Sequence, residues 1–151
     1  MQAPKIVSKP AFTVVGLGLR GRPQELNFGA LWDEFGARMG EIKGVINPRV
    51  AYGVEGNVDM ATGEFNYLAA YEVAPNSPVP AGMTRWEIPA QTYAVFVTTL
   101  PVIKETWREI VESWLPQSGR RYGPGPDFEF YPETFDPGQP GAELHLYVPI
   151  Q

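Results

Sequence analysis

Cysteine is absent from the 151 residues, and histidine occurs once, at His145. The first absence excludes disulfides, thiolate nucleophiles and cysteine-ligated metals. The second means that a zinc site or a serine triad would have to be built on one imidazole, so no metal site is assigned. No apolar run approaches the roughly 18 residues of a membrane helix, and the start, Met1-Gln2-Ala3-Pro4-Lys5, has no signal-peptide apolar core. A cytoplasmic location without membrane contact is therefore expected. Basic residues are also scarce, 12 against 17 acids for a net charge of -5. That leaves no basic patch of the size a phosphate backbone attracts, so direct nucleic-acid contact is not expected.

What the chain does have is a globular composition, 44% hydrophobic and 19% charged, at a length that fits a single domain over residues 1–151. Two excesses stand out: 16 prolines, which imply many turns, and 13% aromatics, more than a small core strictly needs. Some of those aromatics are free to line a site.

Residues 6–19 are apolar and β-branched and read as a strand bent near Pro10. It ends in Gly16-Leu17-Gly18-Leu19-Arg20-Gly21, a literal G-x-G-x-x-G. Arg22-Pro23-Gln24 follows where a dinucleotide motif needs a helix to open, so a flexible strand end is the better reading. Asn27 is the expected N-cap of a helix to about Ile42, with Phe28, Leu31, Trp32, Phe35, Met39 and Ile42 on one stripe. Residues 50–54 and 65–73 read as strands, and a proline-rich link follows. The order then repeats: a strand region over residues 83–99 with Pro89 early in it, a helix over 102–115 stopped by Pro116-Gln117-Ser118-Gly119, and strands over 127–131 and 142–150. Pro10 lies over Pro89, Trp32 over Trp107 and Val73 over Ile150, at offsets of 79, 75 and 77 residues. These anchors imply an internal duplication, with repeats at about residues 4–74 and 82–151. The expected fold is α+β: a duplicated βαββ unit with pseudo-two-fold symmetry and a mainly antiparallel sheet. Helices would cover one face, and a central ligand groove would lie on the other.

The segment Asp127-Phe128-Glu129-Phe130-Tyr131 alternates, so Phe128 and Phe130 face one way and Asp127, Glu129 and Tyr131 the other. In the last strand Leu144, Leu146, Val148 and Ile150 read as the core side, with Glu143, His145, Tyr147 and Pro149 opposite. Matching the two strands puts Glu129 and Tyr131 beside Tyr147 and His145. Tyr52 and Trp86 are expected to join them at the seam between the half-sheets. The ligand-binding set is therefore Glu129, Tyr147, Tyr52, Trp86, His145 and Tyr131. Trp32, Trp107 and Trp114, on helix stripes, are assigned to the core.

The runs Trp114-Leu115-Pro116-Gln117-Ser118-Gly119, Phe128-Glu129-Phe130-Tyr131 and Leu146-Tyr147-Val148-Pro149-Ile150, in this order and spacing, resemble the GyrI-like small-molecule-binding family. Its members are effector-binding domains of AraC- and MerR-type regulators and free-standing proteins. Ile88-Pro89-Ala90 and Phe65-Asn66-Tyr67-Leu68 fit the same pattern. The resemblance implies a groove for bulky, often cationic aromatic xenobiotics, the family's groove glutamate at Glu129, a groove tyrosine at Tyr147, and no cofactor. With no residues left for a helix-turn-helix, a free-standing member is expected. The alternative that the resemblance implies is a hydrolase of cyclopropane-containing or similar electrophiles; on physical grounds Glu129 would serve as general acid or base and Tyr147 or His145 would polarise the substrate. A protein partner such as gyrase also belongs to the resemblance, but the acidic excess is too mild to argue for DNA mimicry. Haem on His145 is a weak reading, since a lone histidine on a polar strand face is usually hydrogen-bonded or solvated.

Overall fold

The computed structural model describes residues 2–151. Its strands are β1 (Lys5–Lys9), β2 (Phe12–Gly21), β3 (Ala51–Gly56), β4 (Phe65–Val73), β5 (Thr84–Ile88), β6 (Gln91–Thr99), β7 (Asp127–Tyr131) and β8 (Glu143–Ile150). They form one eight-stranded sheet in the order β1-β6-β8-β7-β3-β4-β2-β5, antiparallel throughout. Exchanging β1–β4 with β5–β8 reverses this order and leaves it unchanged, so the pseudo-dyad passes between β3 and β7. The fold is the duplicated α+β architecture expected, with one refinement. Each long opening strand is two strands, because Pro10 and Pro89 each lack the N–H that would continue a ladder. The short first piece then crosses over: β1 pairs with β6 of the second half and β5 with β2 of the first.

Helix α1 (Phe28–Arg38) starts where Asn27 accepts a 3.0 Å hydrogen bond from the Ala30 N–H, a cap worth about 1 kcal/mol. It gives way at Met39–Glu41 to a 3-10 turn, a little short of the expected end at Ile42. The second helix runs further than expected. Following α2 (Ile103–Glu109), Ile110–Trp114 widens into a π-helical turn, and α3 (Leu115–Ser118) begins with Pro116 in its first turn. A proline cannot donate to the carbonyl four residues back, and the widened turn accommodates that loss without ending the helix. Gly119, at φ +75°, ends it instead.

Both faces of the sheet are buried. Leu31 and Phe35 of α1 pack on Val15, Leu17, Tyr67, Ala69 and Tyr71, and Ile110 packs on Phe96, Leu144, Leu146 and Val148. The helix-free face carries a third core of its own, in which Phe12, Val14, Tyr52, Leu68, Tyr93 and Phe128 meet. At Gly16 the strands approach so closely that a Cβ would lie 2.6 Å from the Ala70 Cα. Gly16 in this run therefore serves the close approach of β2 and β4, and no α-helix opens directly on it.

Candidate functional site

Register decides which side chains can share a site. Glu129 pairs with Leu146 of β8 and Gly53 of β3, whereas Phe128 pairs with Tyr147 and Phe130 with His145. Paired residues lie on the same face, so Glu129 belongs to the helix side with Leu146. The expected placing of Glu129 and Tyr131 on the same face as Tyr147 and His145 is corrected accordingly, and so is the convergence of six residues. Glu129 and Tyr131 share the helix side, whereas Tyr52, Trp86, Tyr147 and His145 face the other way. The physical reason is that two cores exist where one was assumed. Phe128 and Phe130 are core residues of the helix-free face, and Leu144 and Leu146 are core residues of the helix face.

On the helix-free face the aromatics pack on one another. Tyr147 stacks on Phe128 at 4.5 Å and 13°, His145 on Phe130 at 6.0 Å, and Tyr52 sits edge-on to Phe130 while donating a 3.1 Å hydrogen bond to Glu72. Trp86 borders an open cleft of about 420 Å³ lined also by Arg20 and Arg85, whose charges repel a cation. A catalytic pairing of Glu129 with Tyr147 is not formed, since the sheet itself separates them.

Around Glu129 the arrangement is different. The residue is 7% exposed. Its Oε1 accepts from the Tyr67 hydroxyl at 2.7 Å and from the Tyr131 hydroxyl at 2.8 Å, and Trp32 Nε1–H donates to the Tyr67 oxygen at 3.0 Å. Trp32 lies edge-on to Tyr131 at 5.2 Å, Phe28 edge-on to Tyr67 at 4.8 Å, and Phe35 and Phe135 stand behind them. Trp32, assigned to the core from its helix stripe, is thus part of this box. Gly53 makes it possible, because a Cβ there would come within 2.6 Å of Glu129 Oε1.

Two further carboxylates share this side of the seam. Glu55 of β3 pairs directly with Asp127 of β7. The Glu55 carboxyl is within hydrogen-bonding reach of both the Asp127 and Glu129 carboxyls. Tyr122 donates to Asp127 Oδ2, while Asp127 Oδ1 is enclosed without a donor. Among the described residues, ion pairs form only at Arg22–Glu25, Arg38–Glu41 and Arg49–Glu133, none involving these acids. Burial, then the neighbouring acids, holds Glu55 well above the usual carboxylate range. Burial pushes Asp127 up to about 7, against the opposing pull of the Tyr122 hydroxyl. Burial also raises Glu129, and its two tyrosine donors offset part of the rise.

Tyr67, Trp32, Glu55, Asp127, Tyr122 and Gly53 were not among the expected site residues. For Gly53, Glu55 and Asp127 the signal is the duplication, which makes β3 and β7 the central pair and sets Gly53-Val54-Glu55 against Asp127-Phe128-Glu129; it does not reach Tyr67, Trp32 or Tyr122.

This geometry can be set beside known proteins. The chain is 40% identical over 149 residues to the transcriptional regulator BrlR of Pseudomonas aeruginosa, covering 97% of this chain and 54% of that protein. It thus spans about half the length of that curated relative. The integron cassette protein VCH_CASS2 from the mobile metagenome of Vibrio cholerae shares the fold at a TM-score of 0.71 and 18% identity, over 99% of this chain and 97% of that one. SAV2435 bound to tetraphenylphosphonium shares it at 0.76 and 16%, over 99% and 94%. Residues 5–150 match the Cass2 family, and the chain belongs to these integron-associated effector binding proteins.

Proposed function

We propose that this protein binds bulky, hydrophobic organic cations on the helix side of the sheet, between α1 and β7. One observation carries the reading: Glu129, Glu55 and Asp127 are gathered among aromatic rings with no cationic partner among the described residues. A carboxylate as buried as Glu129 is costly unless a positive charge compensates it, and the half-buried Glu55 and Asp127 add to that cost. A ligand cation would supply that charge, and Trp32, Tyr67, Tyr131 and Phe28 would offer it π faces worth roughly 0.5–2 kcal/mol each once desolvated. The related SAV2435, solved with tetraphenylphosphonium, supports this choice of ligand class.

The test is a titration of wild type and Glu129→Gln with tetraphenylphosphonium and with a neutral aromatic of similar size, with the mass of each compound checked afterwards. Wild type should prefer the cation at least tenfold, Glu129→Gln should show a clearly smaller preference, and both compounds should return unchanged. Equal affinity for cation and neutral compound would contradict the reading.

A further inference from the structure

One carboxylate suffices to neutralise a monocation, yet this site has Glu129 and, beside it, the Glu55–Asp127 pair. Glu129 has its own donors in Tyr67 and Tyr131. Glu55 reaches toward two other carboxyls, a contact that is attractive only with a proton between the oxygens. Without one, two charged carboxylates side by side and partly shielded from water repel each other. Asp127 Oδ1, enclosed and without a donor, is the acceptor such a proton would satisfy. Among the described residues, no cation is paired with these acids. Tyr122 precedes β7, Tyr67 stands on β4, Tyr131 and Glu129 belong to β7, α1 presents Trp32, and β8 presents Leu146.

Resting on the binding site proposed above, we infer that the Glu55–Asp127 pair is a second anionic locus whose two carboxyls share one proton, and so carry one negative charge instead of two, when the site is empty, and that an organic cation binds in exchange for that proton. The exchange balances: one positive charge enters, one proton leaves to solvent, and the net charge of the site is unchanged. It also explains how a charge cluster survives next to a hydrophobic core before any ligand arrives. The raised Asp127 pKa of about 7 places the exchange near neutral pH.

The experiment is calorimetric titration of wild type with tetraphenylphosphonium, a permanent cation with no proton of its own, in buffers of different ionisation enthalpy. A pH series from 5.5 to 8 accompanies it. Release of about one proton at pH 6.5 is expected, with affinity rising up to tenfold per pH unit below about 7 and levelling above it. Glu55→Gln removes one of the two carboxyls that share the proton, so its pH slope and its proton release should both fall below those of wild type. Wild-type binding without proton release would overturn the exchange while leaving the cation site standing. Glu55→Gln with the full wild-type pH slope would do the same. Failure of wild type to bind the cation at any pH would remove both. If Glu55→Gln does not fold, the wild-type proton count alone decides.

Discussion

Glu129 owes its place to three neighbours that no single motif announces. Tyr67 and Tyr131 donate to one oxygen, and Gly53 vacates the space beside it. Gly53→Ala should therefore break the network, lowering the urea midpoint by the equivalent of roughly 1–3 kcal/mol, the usual range for overpacking. Tyr67→Phe removes a donor from Glu129 and leaves Trp32 Nε1–H without its acceptor. Its expected cost is about 1–3 kcal/mol, together with a further rise of the Glu129 pKa, readable by carboxyl NMR titration. Tyr147→Phe is the control. Its hydroxyl lies across the sheet from Glu129, so cation affinity should stay within about twofold of wild type, less than about 0.5 kcal/mol.

At the scale of elements, α1 closes the site. Trp32 touches Tyr131 and bonds Tyr67, so a ligand reaching Glu129 must displace that ring. Trp32→Ala should speed cation association in stopped-flow measurements while weakening equilibrium affinity through the lost π face. An unchanged association rate would show that access does not pass α1. Much at this scale was legible in advance. Asn27 announced the helix start, the alternation in β7 placed Phe128 opposite Glu129, and the repeated Pro, Trp and strand-end anchors gave the duplication. The site's face was not, because alternation tells which residues of a strand share a face but not which of two buried faces that is. Phe128 and Leu146 both read as core, yet they lie on opposite sides of the sheet. Trp32 was assigned to packing because a helical stripe carries no information about one indole hydrogen bond.

For the whole molecule, burying acids above their ordinary pKa ties stability to pH. Asp127 is raised to about 7 in the folded protein, and Glu55 and Glu129 are raised as well. The folded state thus holds protons that the unfolded chain releases near pH 4, which favours folding in acid. For Asp127 that contribution should fall as pH rises toward about 7, by up to about 1.4 kcal/mol per pH unit, and then level off, with Glu55 and Glu129 adding to the fall in the same direction. Urea midpoints at pH 5 and pH 8 check this, with the difference reduced in Glu55→Gln. Binding is linked to folding in the opposite sense, so tetraphenylphosphonium should raise the melting temperature more at pH 8 than at pH 5.5.

The most direct measurement is a structure of this protein with tetraphenylphosphonium. The account predicts the phosphonium on the helix side of the sheet, its phenyl rings against Trp32, Tyr67 and Tyr131 and its charge beside Glu129, Glu55 and Asp127. A cation seated on the other face, among Tyr52, Trp86 and Tyr147, would contradict it.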